Sequence, residues 1–552
     1  MQQVCPDHLF DYLEMFQVLR TSRDIDVVLV SWLKSSEMWP MILQRTKLLE
    51  METADDFGLR NALTDLEKVI EYHNHTLLDS PDCIETAMHF LKDWVNEVLQ
   101  VQNNTFNSSY TLTPAQIQAA NISDTIAHNV EVALNVERSN WATGSVGRDP
   151  FYEPPSLNAS TQPGTLLRVE EFTNTSSYTL APNLVLSRIL FTSKDLNGTS
   201  VPASAYVLWP WQARKFSSSA LNITGVPTIA WAHGTSGMFA ECAPSHIRNL
   251  WYQFSAPYIL ALQGYAVVAP DYAGLGVNHT AEGEPIIHQY LAHPAAANDL
   301  FYAIEAAREA FPVLSKHFIT MGHSQGGGAA WATAHRQHLT PVEGHLGTIA
   351  GSPVSNNYEY VIATGGLGLA PLIAPGISSV FPSFDYSEWF EPEGVKKLQL
   401  IEELSGCNSV SNQLDPQAAG LIKPSWEDTW YLPAYSNLSD PSRKPISGPM
   451  LVVQGTADEI VPASIVSNAV NETCALYPES QIHYAVFEGA THVPVLNAGQ
   501  QIWLQWIEDR FMGKKVETSC TEEHHRPLRN VGEYQKELEY YLQLAVQDYT
   551  VA

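Results

Sequence analysis

The residues with the clearest chemical potential lie in segment 317–333, which reads HFITMGHSQGGGAAWAT. The apolar run at 318–321 predicts a buried strand, and the small residues at 327–334 predict a helix. Between them, segment 322–326 reads GHSQG and has the G-x-S-x-G spacing of a nucleophile elbow. Only small residues two positions either side of the serine let so sharp a turn close. Ser324 is therefore the candidate nucleophile.

A serine hydroxyl becomes a strong nucleophile when a base takes its proton and a third group orients that base. After such an elbow, the chain order is serine, then an acid, then histidine. Asp458 lies in LVVQGTADEIVP at 451–462, just after an apolar run, and is the candidate acid, with Glu459 as the alternative. His492 lies in EGATHVP at 488–494, between a predicted strand and a predicted helix, and is the candidate base.

Attack on a carbonyl also requires donors for the oxyanion that develops. One donor should be the backbone N–H of Gln325, directly after the nucleophile. The second should come from the loop HGTSG at 233–237, where we expect Thr235, with Ser236 as the alternative. Asp271, in PDYAGLG at 270–276, precedes the nucleophile and is expected to order its own glycine-rich loop.

Strands and helices alternate from residue 227 onward, which predicts a mostly parallel sheet with helices on both faces. Ligands bind to such sheets at the carboxyl ends of the strands, where the elbow lies. Strands are expected at 166–172, 184–191, 203–208, 228–232, 265–269, 450–453 and 482–487, and helices at 250–262, 295–310 and 463–475.

Composition shifts divide the chain into six parts. We expect a helical N-terminal extension at 1–138, a linker or wrapping segment at 139–164, two halves of an α/β core at 165–355 and 446–512, a cap between them at 356–445, and a tail with a helix at 513–552. The tail run EEHH at 522–525 is interpreted as a solvated surface segment rather than a set of metal ligands.

The uncharged run at 361–381 approaches the roughly 20 residues of a membrane span. A span there would place Ser324 and His492 on opposite sides of a bilayer, and Pro371 and Pro375 interrupt the run. We therefore expect a cap over the active site and no integral membrane segment, while transient contact with a lipid interface is compatible with an apolar cap. A net charge of −29 argues against nucleic acid or an anionic membrane surface as partner.

The cellular compartment is indicated by the glycosylation acceptor sites more than by the cysteines. The six cysteines form no C-x-x-C pair, so neither a zinc site nor a redox motif is indicated, and their pairing stays open: Cys5, Cys83, Cys242, Cys407, Cys474 and Cys520. N-x-S/T acceptor sites begin at Asn74, Asn103, Asn107, Asn121, Asn158, Asn174, Asn197, Asn222, Asn278, Asn437 and Asn471. These sites predict a secreted or lumenal glycoprotein, although residues 1–30 show no signal-peptide pattern.

The combined motifs resemble the fungal secretory lipase family of the lipase A type. The resemblance covers about 149–512 and rests on the following segments: DPFYEPP at 149–155, AHGTSG at 232–237, CAPS at 242–245, PDYAGLG at 270–276, GHSQGGG at 322–328, GTADEIVP at 455–462 and THVP at 491–494. It implies an α/β-hydrolase fold with a helical cap inserted before the acid, secretion, and action on carboxylic esters, including acylglycerols.

The resemblance also implies a disulfide between Cys242 and Cys407 and another between Cys474 and Cys520, which leaves Cys5 for Cys83. It does not account for residues 1–148 or for the tail. We expect a cofactor-free and metal-free serine esterase whose ester has a hydrophobic portion. Two alternatives stay open: a deacetylase of a small metabolite or a serine peptidase on the same fold, and a non-catalytic binding protein of that fold. The oligomeric state is not predicted.

Overall fold

The computed structural model describes residues 108–158, 160–216, 220–363, 369–414, 421–516 and 519–535. Cys5, Cys83, most of the predicted N-terminal extension and the predicted tail helix lie outside the described residues, as do Asn74, Asn103 and Asn107.

In the described part of the chain, ten strands form one sheet in the order β1-β2-β3-β5-β4-β6-β7-β8-β9-β10. The strands are β1 Leu166–Glu170, β2 Val185–Lys194, β3 Ser200–Trp209, β4 Val226–Ala232, β5 Ala266–Pro270, β6 Leu314–His323, β7 His345–Gly351, β8 Met450–Gly455, β9 Ile482–Phe487 and β10 Thr521–His525. The pairs β1–β2, β2–β3 and β3–β5 are antiparallel, and every other pair in the sheet is parallel. The predicted α/β-hydrolase architecture is confirmed. The central strands read as apolar runs because helices cover both faces.

Thirteen α-helices lie in the described residues. They are α1 Pro114–Ala120, α2 Asp124–Ser139, α3 Pro257–Leu262, α4 His293–Ala310, α5 Gln325–Leu339, α6 Asn357–Ala363, α7 Ala370–Val380, α8 Pro392–Leu404, α9 Asn408–Leu414, α10 Tyr431–Ser439, α11 Ala463–Leu476, α12 Pro494–Ala498 and α13 Gln500–Phe511. Helices α6 to α10 form the cap between β7 and β8. None of the helices in the described ranges is both long and apolar enough to cross a bilayer.

The helix predicted at 250–262 is shorter than expected. Helix α3 begins only at Pro257, because Leu250, Trp251 and Gln253 have φ values of 53°, 68° and 42°. A right-handed helix cannot include residues in that region of backbone space. The segment before α3 is therefore irregular, with a single 3-10 turn at Gln253–Ser255.

The tail run at 522–525 is not merely a solvated segment. It forms β10, which pairs in parallel with β9 and places Glu522 beside Tyr484 and His525 beside Phe487. The sequence gives no period-two signal because both faces carry charged or imidazole side chains. Charged residues on an edge strand discourage pairing with a further chain.

The helices α1 and α2 pack against the cap. Val130 and its apolar neighbours share a buried cluster with Leu404 and others from α8 and α9. The Glu137 carboxylate accepts hydrogen bonds from the N–H groups of Cys407 and Val410 at 2.8 and 3.0 Å. Burial raises the pKa of Glu137 to about 7. This end of the predicted extension is thus packed against the cap of the α/β body.

Candidate active site

The elbow lies where β6 passes into α5. Ser324 has φ 59° and ψ −122°, a conformation that costs a non-glycine residue about 1–3 kcal/mol. A Cβ atom added at Gly326 would lie 2.0 Å from the carbonyl oxygen of Ala232, and one at Gly322 would lie 2.0 Å from that of Gly326. Glycine is therefore required on both sides, and the surrounding strands hold the serine in its strained conformation.

The predicted acid and base form a buried pair. The Nδ1 atom of His492 lies 2.9 Å from both carboxylate oxygens of Asp458. The Oδ1 atom of Asp458 also accepts from the N–H groups of Ile460 and Val461, at 3.0 and 2.8 Å, and its Oδ2 accepts from Gln454 Nε2 at 3.1 Å. Burial raises the pKa of Asp458, but the hydrogen bond and charge of His492, with the Val461 amide, outweigh it and leave that pKa below its usual value. An ionised Asp458 can hold the His492 proton on Nδ1.

The loop that carries His492 is bound to the elbow itself. The Nε2 atom of His323, the residue before Ser324, lies 3.0 Å from the carbonyl oxygen of His492, and the two imidazole centroids are 4.6 Å apart. Ser324 and His492 are each 7% exposed, and Asp458 is 8% exposed. Among the described residues, the Ser324 hydroxyl makes no hydrogen bond, so it is uncommitted beneath the cap.

The two predicted oxyanion donors belong to segments that lie close to the nucleophile. Gln325 is the first residue of α5, where a backbone N–H has no acceptor within the helix. A Cβ atom on Gly234 would lie 3.2 Å from the Cβ of Ser324, so the loop with Thr235 runs directly beside the serine. Within the described ranges, neither the Gln325 nor the Thr235 backbone N–H has a hydrogen-bond acceptor. The carbonyl of the alternative residue, Ser236, accepts from Asn408 N at 3.0 Å, which ties it to the cap.

Comparison with known proteins agrees with this fold. A family model described as the alpha/beta hydrolase family matches residues 229–502. The chain has the α/β-hydrolase fold. The X-ray structure of Candida antarctica lipase A is similar to the hydrolase with a TM-score of 0.55 and 18% identity, over 69% of this chain and 89% of that one. The predicted resemblance to lipase A is confirmed at the level of the fold.

Three curated relatives are similar to the hydrolase over about two thirds of its length. The secreted triacylglycerol lipase LIP4 of Malassezia globosa is 24% identical over 405 residues, 68% of this chain and 83% of its own. The trichothecene C-3 esterase of Fusarium sporotrichioides is 25% identical over 394 residues, 66% of this chain and 83% of its own. A protein of Mycobacterium tuberculosis named as a probable inactive lipase is 21% identical over 386 residues, 67% of this chain and 83% of its own.

Covalent and hydrogen-bonded links fasten the cap of the hydrolase to the loop beside Ser324. The structure joins Cys242 to Cys407 and Cys474 to Cys520, the two pairings that the resemblance implied. Gly237 forms an antiparallel bridge with Cys407, and a Cβ atom on Gly237 would lie 2.4 Å from the Cys242 sulfur. The oxyanion loop and the start of α9 are therefore one packed unit.

Sequence reasoning missed several residues that support this site in the hydrolase. The Tyr290 hydroxyl lies 2.8 Å from Thr235 Oγ1, and Tyr435 of the cap donates to the Tyr290 carbonyl at 2.8 Å. Gln454, which contacts Asp458, is a polar residue in the fully buried strand β8, and that contrast was the available signal. Tyrosines 290 and 435 carried no comparable signal.

Asp271 differs from the expectation that it orders its own glycine-rich loop, because in the described part of the chain its carboxylate bonds to two other segments instead. It is fully buried and accepts hydrogen bonds from the Ser204 hydroxyl at 2.6 Å and from the N–H and hydroxyl of Ser245 at 2.8 and 2.5 Å. Burial raises its pKa to about 6. The carboxyl joins β3 to the CAPS segment, apart from the His492–Asp458 pair.

The predicted glycosylation sites of the hydrolase that fall in the described residues all lie on its surface. Their asparagines are exposed: Asn121, Asn158, Asn174, Asn197, Asn222, Asn278, Asn437 and Asn471. A glycosyltransferase can reach only such surface positions.

Proposed function

We propose that this hydrolase is a secreted serine esterase of the lipase type, with Ser324 as nucleophile, His492 as base and Asp458 as the acid that orients the base. The observation that carries the proposal is a strained, uncommitted serine whose neighbour, His323, contacts the main chain of the histidine in a buried imidazole–carboxylate pair. Such a constellation is suited to acyl transfer.

The reaction has two halves. His492 Nε2 takes the proton of Ser324 as its oxygen attacks the ester carbonyl, and the backbone N–H groups of Gln325 and Thr235 stabilise the resulting oxyanion. The ester C–O bond then breaks, and the alcohol leaves with the proton from His492. Water, deprotonated by His492, attacks the acyl-enzyme, releases the carboxylic acid and restores Ser324. The ionised Asp458 stabilises the imidazolium form of His492 in both halves.

The cap favours an ester with a hydrophobic portion. Its inner side contributes Leu372, Ile373, Phe384, Trp389 and Tyr431 to the same buried apolar cluster as Tyr290, the partner of Thr235. Apolar side chains beside the oxyanion loop favour the binding of substrates that bury hydrocarbon. The names of the relatives, a triacylglycerol lipase and a trichothecene esterase, support the same class.

Secretion is supported by three observations. The described acceptor asparagines are exposed, the two described disulfides require an oxidising compartment, and the Malassezia relative is named as secreted. Glycosidase-induced mass loss in protein from the culture medium tests this part of the proposal.

The decisive experiment compares Ser324→Ala with Ser411→Ala. Ser411 is buried in the cap, and its hydroxyl has no hydrogen-bond partner among the described residues, so its removal controls for the loss of a buried hydroxyl. We expect Ser324→Ala to abolish hydrolysis of a p-nitrophenyl ester and labelling by a fluorophosphonate, and Ser411→Ala to retain both. Undiminished turnover by Ser324→Ala would remove Ser324 from the mechanism.

A second candidate is a deacetylase of a small metabolite, which the similarity to a trichothecene C-3 esterase favours. A panel of p-nitrophenyl esters from acetate to long acyl chains separates the two, because a deacetylase loses kcat/KM as the chain grows and a lipase gains it. The relative named as a probable inactive lipase keeps the non-catalytic alternative in view. Wild-type protein that fails to label with fluorophosphonate would favour that alternative.

A further inference from the structure

A buried histidine connects the elbow to the loop that carries the base. His323 ends β6 with its side chain fully buried, and both of its ring nitrogens have partners. Its Nε2 lies 3.0 Å from the His492 carbonyl oxygen, and its Nδ1 lies 2.7 Å from the Tyr252 hydroxyl.

We propose that Tyr252 and His323 are positioning residues for the base: the Tyr252 hydroxyl donates to Nδ1 of His323 and holds the ring in place, and the Nε2–H of that ring holds the main chain of His492 against the elbow. The inference rests on the proposed role of His492. It assigns a task to the residue before the nucleophile, which the G-x-S-x-G pattern leaves unspecified.

The proton positions follow from the partners. A carbonyl oxygen can only accept, so the Nε2 of His323 must carry a proton. Burial, and then the neighbouring charge of His492, lower the pKa of His323 to about 3, so the ring is neutral and has one proton. Its Nδ1 is therefore an acceptor, and the Tyr252 hydroxyl must donate to it.

Tyr252 is well placed to hold the His323 ring. Its ring packs edge-on against Trp231 at 5.3 Å, and a Cβ atom on Gly234 would lie 2.2 Å from its hydroxyl oxygen. One hydroxyl thus lies between the oxyanion loop and His323. Leu250 and Trp251, with positive φ values, shape the loop that brings Tyr252 there.

His492 is consequently held at two points. Asp458 binds its Nδ1, and His323 binds its carbonyl, which fixes both the ring and the main chain. Within the described residues, its Nε2 has no hydrogen-bond partner and stays available to Ser324. A base displaced by a fraction of an ångström loses rate, since catalysis depends on the geometry of the reacting atoms.

Two substitutions at His323 separate donation to His492 from mere filling of space. In His323→Gln, the side-chain amide N–H reaches about as far as Nε2 and can still donate to the His492 carbonyl. In His323→Asn, the shorter amide faces Tyr252 and cannot reach His492. Tyr252→Phe removes only the hydroxyl, and Tyr258→Phe is its control, because Tyr258 is a buried tyrosine that donates to the Thr179 carbonyl at 3.0 Å.

We expect Tyr252→Phe to lower kcat about threefold to tenfold on a short soluble ester, the value of one hydrogen bond, with KM unchanged. His323→Asn should lower kcat about tenfold or more, and His323→Gln should retain more activity than His323→Asn. The rate of fluorophosphonate labelling should follow the same order, and Tyr258→Phe should match the wild type. Equal activity of His323→Gln and His323→Asn, or a Tyr252→Phe variant equal to Tyr258→Phe, would overturn the proposal.

A spectroscopic measurement tests the tautomer without any turnover. In protein with 15N-labelled histidine, the His323 resonance, assigned by its loss in His323→Gln, should show a protonated Nε2 and an unprotonated Nδ1. Tyr252→Phe should leave the proton on Nε2, because the His492 carbonyl can only accept, and should shift the Nδ1 resonance, because that nitrogen loses its hydrogen-bond donor. A wild-type His323 with its proton on Nδ1 refutes the inference, whereas a wild type inert towards both ester and probe refutes the proposed function and leaves the tautomer test decisive.

Discussion

Asp458→Asn tests how the acid acts on the base. The substitution removes the negative charge while it keeps one oxygen. The Oδ1 position accepts two main-chain N–H groups, from Ile460 and Val461, so the asparagine oxygen should remain there. Since His492 Nδ1 lies 2.9 Å from both oxygens, it can still donate to that position.

The expected loss follows from this orientation. A hydrogen bond to a charged group contributes about 1.5–3 kcal/mol, so its weakening should lower kcat about tenfold to 150-fold. If the amide nitrogen instead faced His492, the imidazole would be held in the wrong tautomer, and the loss would approach about 10⁴-fold. The structure favours the smaller loss, because a rotated amide would set an NH2 group against two N–H donors.

The assay is steady-state hydrolysis of a p-nitrophenyl ester, with Glu459→Gln as the matched control. Glu459 is the neighbouring acid and is exposed, so its neutralisation should leave kcat and KM unchanged. An Asp458→Asn variant as active as wild type would refute the assignment of Asp458. A loss near 10⁴-fold would refute the argument about the orientation of its amide.

Three further outcomes are expected. Glu137→Ala should lower the free energy of unfolding by about 1–3 kcal/mol, because it leaves the N–H groups of Cys407 and Val410 without their acceptor. Urea denaturation measures this, with Glu309→Ala at an exposed position as the control. Equal stability of the two variants would contradict the expectation. Burial raises the pKa of Asp299 to about 7 from an ordinary value of 3.8, so its stabilising contribution is complete below about pH 4 and is lost as pH rises through 7. The wild type should therefore lose stability from pH 5 to pH 8, and Asp299→Asn should lose less. An equal pH dependence of the two proteins would contradict this expectation. The double variant Cys242→Ser with Cys407→Ser should lose esterase activity and thermal stability, because this disulfide joins the cap to the oxyanion loop. The control is Cys474→Ser with Cys520→Ser, which removes the disulfide between α11 and the start of β10 and should keep its kcat. Equal activity of the two double variants would argue against coupling of the cap to the oxyanion loop.

Much of the core was predictable because its signals are local. The elbow requires glycine two positions either side of Ser324, since any larger residue would collide with backbone atoms. This requirement is visible within five consecutive residues, 322–326. The central strands are apolar throughout because both faces are buried. The order of the serine, acid and base follows from the order of the strands that carry them.

Other features gave misleading or no signals. The run at 522–525 is as polar as a solvated loop, yet its backbone pairs in parallel with β9 and adds an edge strand to the sheet. The helix expected at 250–262 fails in its first half, where Leu250 and Trp251 have positive φ. In both places tertiary packing overrides local preference.

The sequence by itself determined which residues could do chemistry here: a serine in a turn that only glycines permit, and an acid and a histidine that each follow an apolar strand. Only the tertiary structure decided how they are held, through the contact of His323 with the His492 carbonyl, the support of Asp458 by Gln454, and the carboxylate of Glu137 at the start of α9. The reason is physical, since hydrogen bonds between groups 169 or 270 positions apart depend on packing of the whole sheet and cap, and no local pattern encodes them.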